Sequence, residues 1–402
     1  MFKKIASNTI AQLIAKFFGA GLTLLTTYYT IRLAGLDLYG DLTRILIMIA
    51  VGYTAIDFGL NAEGIRSGTN DLEIKAVTTS IMFTRLLLSL LVIIFLNLAV
   101  WFLPGGYSDE VKNIFWLGSL AIFFQGIYAS SNVWFQYKLS YWRSTISVAV
   151  GAIISTSFTL YFLKYSPTLF HLLLANTLGY LSMATCSLLL LPRSQFENLR
   201  IYDLRLVIPL LRRSLILGLI LIASVLASKI DTIILGIFRV SREVGEYGFA
   251  YRIFDVILVL PVFVMNAVYP ISVQENITGI KSKLLSNTSW VMAGIGIIAS
   301  IFLWFGAPYV NLVKSDLVIT TTVLRILAFS LPLFYVTAPL MWSLISKKKD
   351  KVVLGIYLIA TILNGSLNLI FIPSFGATAA AIVTGATELF IFLSLLYFSK
   401  II

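Results

Sequence analysis

Charged residues are scarce in this chain of 402 residues. Asp, Glu, Lys and Arg make up 12% of it, about half their usual share in a soluble globular protein, and apolar residues rise to 59%. A soluble fold could not cover that much apolar surface, so a soluble enzyme is excluded. A single Cys and a single His exclude a disulfide framework and a Cys/His zinc site. No Gly-x-x-x-x-Gly-Lys-Ser/Thr segment occurs, so the chain is not expected to bind nucleotides.

Long apolar runs are what the sequence does contain. A helix needs about 20 mostly apolar residues to cross the hydrocarbon of a bilayer. Runs of this kind predict twelve transmembrane helices and leave no room for a soluble domain. The predicted spans are 10–31, 41–60, 76–103, 114–137, 144–163, 169–191, 209–238, 247–273, 285–306, 317–345, 352–372 and 377–398. The expected fold class is an all-α polytopic membrane protein.

The distribution of Lys and Arg predicts the orientation of these spans. Eighteen of the thirty basic residues fall in predicted inner loops and tails, six in outer loops and six inside spans. Because basic loops stay on the cytoplasmic side, both termini are expected there. The net charge of +12 is spread over short loops, so nucleic acid is not an expected partner.

The sequence predicts that the chain consists of two halves with the same arrangement of spans. The longest inner connection, 192–213, lies near the midpoint and mixes charged with apolar residues, which predicts an amphipathic helix on the cytoplasmic membrane surface. We expect an N-terminal lobe at 1–200 with six spans and a C-terminal lobe at 201–402 with six more. Both halves then enter the membrane with the same polarity, as in a parallel repeat. Tyr-Gly-x-x-x-Arg opens the second span of each half, at Tyr39 and at Tyr247.

Ionisable residues inside the predicted spans are the candidate site residues. A basic side chain at the bilayer centre costs about 2.5–3.5 kcal/mol, so each must snorkel, form a pair or line a hydrated cavity. Cations outnumber acids, which predicts an anion site, and an arginine fork suits a phosphate. Arg85, Arg252 and Arg325 are expected to point into one cavity between the lobes. The candidate substrate-binding cations are Lys16, Arg44, Arg85, Lys229, Arg252 and Arg325.

The acids inside the predicted spans have two possible roles. Asp57, Asp231, Asp255 and Glu388 could couple transport to an ion gradient, or each could neutralise a neighbouring cation. A pairing of Lys229 with Asp255 across helices would be an example of charge neutralisation. Snorkelling remains the alternative for Lys16, and anchoring in headgroups remains that for Arg44.

Several segments resemble one family. They are Ile31-Arg-Leu-Ala-Gly-Leu-Asp-Leu-Tyr-Gly40, Asp57-Phe-Gly-Leu-Asn61, Lys229-Ile-Asp-Thr-Ile-Ile-Leu-Gly236, Val244-Gly-Glu-Tyr-Gly248 and Leu367-Asn-Leu-Ile-Phe-Ile-Pro373, with Asn364 before the last. In this order and spacing the chain resembles the bacterial polysaccharide flippases, which serve O-antigen and capsule synthesis. They belong to the multidrug/oligosaccharidyl-lipid/polysaccharide (MOP) exporter superfamily.

The resemblance implies two six-helix lobes around a central cavity. It implies a flippase of the bacterial inner membrane that moves an undecaprenyl-diphosphate-linked oligosaccharide to the outer leaflet by alternating access. No catalytic residue, metal or cofactor is implied beyond H+ or Na+ as a coupling ion. The implied partners are membrane lipids and the polysaccharide polymerase machinery.

Three other functions are the alternatives. A multidrug exporter would call for cavity acids, and a lipid II flippase resembles a fourteen-span design. A membrane glycosyltransferase would need a soluble loop or paired loop carboxylates, and the sequence offers only Asp109-Glu110 on a short turn.

Overall fold

The structure is a computed structural model that describes residues 2–67, 71–192, 204–261, 264–265, 268 and 284–401. Side chains are described for 18–61, 63–65, 74–192, 207–261, 264–265, 268 and 287–399. All regular structure in these residues is helical, and no strand occurs in them. Residues 193–203 of the predicted surface helix and the end of the eighth predicted span lie outside the described residues, and residues 204–213 belong to the long helix Leu204–Phe238.

The described chain forms a series of long helices. Nine of those in the described residues are long and apolar enough to cross a membrane, so the chain is a multi-pass membrane protein. The count of twelve spans and the cytoplasmic termini stay predictions. The helices are α1 (Phe2–Leu33), α2 (Leu36–Asp57), α3 (Leu60–Ser67), α4 (Asp71–Trp101), α5 (Asp109–Tyr137), α6 (Tyr141–Tyr165), α7 (Leu169–Leu189), α8 (Leu204–Phe238), α9 (Ser241–Ile257), α10 (Leu284–Gly306), α11 (Val318–Ser346) and α12 (Asp350–Ile401).

The helix α5 begins earlier than its apolar run predicts, because a polar residue caps it. The hydroxyl of Ser108 accepts a hydrogen bond from the Val111 amide at 3.3 Å, and α5 therefore starts at Asp109 instead of near residue 114. The acidic pair Asp109-Glu110 lies in the first turn of α5, where it complements the helix dipole. The pair is therefore part of a helix and not of a loop.

The last two predicted spans lie in α12, which is broken at Gly376. This residue has φ 59° and ψ −139°, a conformation that a residue with a Cβ rarely adopts. The Glu243 carboxylate accepts a hydrogen bond from the Ala377 amide at 2.7 Å, and Arg239 Nε donates to the Ile372 carbonyl at 3.1 Å. Side chains from the α8–α9 connection and from the first turn of α9 therefore satisfy backbone groups on both sides of the break.

The chain divides into two compact units, 1–222 and 223–402, which we call the N-terminal and C-terminal units. The division falls inside α8, whereas the lobe boundary predicted from sequence falls at 200/201. In the N-terminal unit, α5 packs on α2, α4 and α7. In the C-terminal unit, α11 packs on α9, α10 and α12. Each unit thus has a central helix. In the N-terminal unit it is α5, the fourth predicted span, and in the C-terminal unit it is α11, the tenth.

Candidate functional site

A cavity of about 370 Å³ lies in the C-terminal unit between α8, α9, α11 and α12. It collects three of the ionisable residues singled out by the sequence, Lys229, Asp255 and Glu388. Hydroxyl groups and aromatic rings make up much of the remaining wall. The lining residues that carry a polar group are Ser224, Ser228, Lys229, Tyr251, Asp255, Thr337, Tyr357, Thr384, Thr387 and Glu388.

Lys229 and Asp255 form an ion pair in the wall of this cavity. The ammonium nitrogen of Lys229 lies 2.9 Å and 3.2 Å from the two carboxylate oxygens of Asp255, and 5.0 Å from the Tyr251 ring centroid. This is the pairing across helices that the sequence left open. The Asp255 side chain is 45% exposed and that of Lys229 is 19% exposed, so a ligand in the cavity can reach both.

Glu388 lies in the cavity wall on α12. Its side chain is buried and accepts a hydrogen bond from the Thr337 hydroxyl at 2.5 Å, which joins α12 to α11. Within the described part of the chain, Glu388 has no cationic partner. If all three groups are charged, the cavity lining carries one positive and two negative charges.

Asp231 lies behind the cavity wall and is fully buried. One carboxylate oxygen accepts hydrogen bonds from the Tyr247 and Tyr251 hydroxyls at 2.6 Å and 2.9 Å, and the Thr384 hydroxyl lies 3.0 Å from it. The other oxygen accepts from the Thr232 amide at 2.5 Å. No Lys or Arg among the described residues pairs with Asp231. A charge on Asp231 would therefore be balanced by dipoles alone, which is a costly arrangement in a low-dielectric interior.

Two amide side chains that the sequence did not single out as site residues extend this polar region. Asn368 donates to the Asn364 side-chain oxygen at 2.7 Å, and Asn364 donates to the Thr387 hydroxyl at 3.1 Å. Both amides are fully buried, and the Asn368 oxygen has no partner among the described residues. The sequence signal that indicates them is the spacing of two amides four residues apart in an apolar span, which places both on one face of the helix.

The first two turns of α9 hold the helices that carry these groups. The Glu246 carboxylate accepts hydrogen bonds from the Ile319 and Thr320 amides at 3.0 Å and 3.1 Å, which caps the N-terminus of α11. Three residues earlier, Glu243 does the same for the part of α12 after Gly376. These acids therefore anchor the N-terminal ends of the helical segments that carry Thr337, Thr384 and Glu388.

Arg85 is enclosed within the N-terminal unit. Its guanidinium lies 2.6 Å from an Asp57 carboxylate oxygen, donates to the Asn61 side chain at 3.0 Å and donates to the Ile56 carbonyl at 3.3 Å. The side chain has no solvent exposure. Arg85 was expected to face a cargo cavity, but here it holds the C-terminal end of α2. Each of its three guanidinium nitrogens has a hydrogen-bond partner in the N-terminal unit, and a role of Arg85 in cargo binding stays a prediction.

Arg44 is also buried in the N-terminal unit. It forms an ion pair with Asp41 at 2.6 Å, one turn earlier on α2, and its guanidinium carbon lies 5.8 Å from the Tyr107 ring centroid. Burial raises the pKa of the Tyr107 hydroxyl, although Arg44 opposes this shift, so the phenol stays neutral. Arg44 is therefore enclosed within the N-terminal unit, and its cavity and headgroup roles both stay predictions.

The other candidate cations lie elsewhere. Arg325 is exposed on α11, with its guanidinium carbon 5.4 Å from the Trp304 ring centroid, and it does not line the cavity of the C-terminal unit. Arg252 is half-buried on α9 and is not a lining residue either. The Lys16 side chain lies outside the described residues. Lys229 is thus the candidate cation that the described cavity contains, and a shared cavity between the lobes stays a prediction.

A family model described as "Polysaccharide biosynthesis protein" matches residues 5–276. The chain belongs to this family. The match confirms the family resemblance seen in the sequence. No curated relative matches this family member significantly.

Solved structures share the fold of this polysaccharide biosynthesis family member. A "Lipid II flippase MurJ, inward closed conformation" has a TM-score of 0.73 and 17% identity, covering 96% of this chain and 87% of that one. A multidrug resistance MATE family transporter of the MOP superfamily, in an inward-facing conformation, has a TM-score of 0.76 and 14% identity over 94% of each chain. A MOP superfamily transporter from Pyrococcus furiosus, described as having a binding pocket of reverse polarity, has a TM-score of 0.66 and 15% identity over 98% and 95%. The fold is therefore of the MOP transporter type.

Proposed function

We propose that this protein is a flippase that moves a lipid-linked oligosaccharide from the cytoplasmic to the outer leaflet of the bacterial inner membrane. The lipid is undecaprenyl diphosphate, and the glycan is a repeat unit of a surface polysaccharide such as O-antigen or capsule. The observation that carries this proposal is the match to a polysaccharide biosynthesis family in a chain with a MOP-type membrane fold. A fold shared with a lipid II flippase supports a lipid-linked cargo.

The cavity of the C-terminal unit offers one ammonium group for an anionic headgroup and several hydroxyl groups for a glycan. Its charged lining residues in the described part of the chain are one cation and two acids, whereas the sequence predicts an excess of cations. The hydroxyls of Thr337, Thr384 and Thr387 can form hydrogen bonds with a glycan. Lys229 supplies an ammonium group whose counter-ion, Asp255, is almost half exposed. We propose that a cargo diphosphate displaces Asp255 from Lys229, because a phosphate carries more negative charge than a carboxylate.

This step is tested in proteoliposomes that contain the purified protein and a fluorescent undecaprenyl-diphosphate-linked oligosaccharide. Lys229→Ala should lower the flipping rate at least tenfold, and Lys229→Arg should retain part of it. Lys164→Ala is the matched control, because Lys164 also lies over a tyrosine ring, at 5.2 Å, but is exposed in the N-terminal unit. A Lys229→Ala variant that flips at the wild-type rate would refute the role of Lys229.

We propose that an ion gradient drives transport through Asp231, Glu388 or both. Asp57 and Asp255 pair with Arg85 and Lys229, whereas Asp231 and Glu388 have hydroxyl partners and no cation within the described part of the chain. The alternative, that each of these two acids neutralises a neighbouring cation, therefore has less support. H+ and Na+ are both candidates for the coupling ion.

Asp231→Asn and Glu388→Gln test the coupling. Each keeps the shape of the side chain and removes its charge. We expect the variant at the coupling site to lose the acceleration that an imposed pH or Na+ gradient gives to flipping, while Asp109→Asn, in the first turn of α5, behaves as wild type. If both variants respond to the gradients as wild type does, coupling at these two acids is refuted.

Export of a cationic compound is the second candidate. The observation that favours it is the excess of acids over Lys229 among the charged lining residues. Uptake of a cationic dye into the same proteoliposomes, inhibited by Asp255→Asn, together with no flipping of the lipid-linked glycan, would decide for this function. An association with the polymerase machinery stays a prediction from the family resemblance.

A further inference from the structure

The charges that line the cavity of the C-terminal unit do not match the charge of the proposed cargo. Lys229 is the one cation among the described lining residues, and Asp255 and Glu388 are the acids. A lipid diphosphate brings further negative charge into this low-dielectric interior, where an excess of one sign is costly. The loaded cavity therefore requires positive charge beyond that of its described lining residues.

Glu388 is the acid that is open to a cationic group of the cargo. Its side chain is 6% exposed, lines the cavity and accepts a hydrogen bond from the Thr337 hydroxyl. Within the described part of the chain, no Lys or Arg pairs with it and its other carboxylate oxygen has no hydrogen-bond partner. A hydroxyl group does not neutralise a carboxylate, whereas an ammonium group neutralises it and donates up to three hydrogen bonds.

Tyr251 and Thr384 lie between Lys229 and Glu388 along the cavity wall. The Lys229 ammonium nitrogen is 5.0 Å from the Tyr251 ring centroid, and the Tyr251 hydroxyl is 2.9 Å from the Thr384 hydroxyl. Glu388 follows Thr384 by one turn of α12, about 6 Å along the helix. All four residues line the same cavity, so one ligand can place an anionic group on Lys229 and a cationic group on Glu388.

Hydroxyl groups surround the Glu388 end of the cavity. Thr387 accepts a hydrogen bond from the Asn364 amide at 3.1 Å, so its hydroxyl hydrogen can be donated to a ligand oxygen. Thr337 and Thr384 add two more hydroxyls to this wall. The chemistry that matches a carboxylate among hydroxyls is an ammonium group beside hydroxyl groups, which is the arrangement on an amino sugar.

We propose that this cavity selects a glycan with a free amine, that is, an amino sugar without an acyl group, and that Glu388 binds its ammonium group. The inference rests on the proposed function, because it takes the cargo to be a lipid-linked oligosaccharide with its diphosphate on Lys229. It goes beyond that function by naming the class of sugar. With Glu388 engaged by the cargo, Asp231 is the acid that remains for ion coupling.

The test compares two undecaprenyl-diphosphate-linked disaccharides that differ at a single nitrogen. One carries a free amine and the other an N-acetyl group at the same position. Their binding to the purified full chain in neutral buffer is measured by native mass spectrometry, which requires no transport. We expect wild type to bind the free-amine cargo at least about tenfold more tightly, because acetylation removes the charge that pairs with a buried carboxylate.

The variants assign this preference to one side chain. Glu388→Gln should make the two affinities equal, and Glu388→Asp should retain part of the preference. Lys229→Ala should weaken the binding of both cargoes by the same factor and leave the preference unchanged, because both carry the diphosphate. Glu110→Gln, which removes an exposed carboxylate in the first turn of α5, should have no effect. Melting temperatures report whether each variant is folded.

Two results would overturn the proposal. One is equal binding of the two cargoes by wild type, and the other is an unchanged preference in a folded Glu388→Gln variant. Either result leaves the proposed function standing, since flipping is measured separately in the Lys229 experiment. Binding of neither cargo by wild type would refute the lipid-linked cargo itself, and this inference with it.

Discussion

Arg85 allows a structural role and a cargo-binding role to be separated by measurement. Its guanidinium contacts Asp57, Asn61 and the last carbonyls of α2, all within the N-terminal unit. The perturbation is a double-mutant cycle with Arg85→Met, Asp57→Asn and both together. Methionine keeps much of the side-chain volume and removes the charge, and asparagine keeps an oxygen that can accept a hydrogen bond.

The magnitude follows from burial. Arg85 has no exposure, so Asp57→Asn leaves a buried cation without its counter-ion, which costs about 3–5 kcal/mol. Arg85→Met should cost less, about 2–4 kcal/mol, because the Asp57 side chain is 33% exposed and water can hydrate it. In the double variant neither charge remains. We therefore expect it to be more stable than the sum of the single effects by at least about 1.5 kcal/mol.

The assay is the apparent melting temperature of the purified protein in detergent, read beside flipping in proteoliposomes. For a unit of this size, 1 kcal/mol corresponds to roughly 2–4 °C, so each single variant should melt about 4–20 °C lower. Flipping should fall with the folded fraction. An Arg85→Met variant that melts like wild type and yet flips no cargo would refute the structural role. So would strictly additive effects in the cycle.

Three further substitutions test how the helices are held, each by melting temperature in detergent. Gly376→Ala should destabilise the protein by about 1–3 kcal/mol or more, because it forces a non-glycine residue into the break and its Cβ would collide with Glu243. An unchanged melting temperature would contradict the backbone conformation described at Gly376. Glu246→Ala should cost about 0.5–2 kcal/mol through loss of the α11 cap, and Glu246→Gln clearly less; equal losses would point away from capping. Gly179→Val should cost about 1–3 kcal/mol, because its Cβ would lie 2.6 Å from Ser155 Cβ where α6 meets α7; full stability would show that these helices are further apart.

The helices themselves were largely predictable from the sequence. The run at 285–306 became α10, Leu284–Gly306, and the run at 317–345 became α11, Val318–Ser346. A transmembrane helix satisfies its own backbone, so an apolar run of sufficient length specifies it without reference to the rest of the fold. The ends were less predictable, because caps such as Ser108 lie outside the apolar runs.

The candidate site was predictable only in part. The sequence indicated that Lys229 and Asp255 are informative and that they could pair, and the structure pairs them. It did not indicate that Arg325 lies on an exposed face beside Trp304, or that Asn364 and Asn368 join the polar region beside the cavity. A hydropathy pattern gives the depth of a residue but not the direction in which its helix is rotated.

The sequence by itself therefore determined a multi-pass helical membrane protein of the polysaccharide biosynthesis family, together with the short set of ionisable residues that the bilayer makes costly. Only the tertiary structure decided what each of those charges meets. It enclosed Arg85 with Asp57, placed Lys229 with Asp255 in a cavity wall, and left Asp231 among hydroxyls. The physical reason is the range of the interactions. Burial of an apolar helix in lipid depends on composition alone, whereas an ion pair between residues 26 or more positions apart exists only once helix packing has brought them within hydrogen-bond distance.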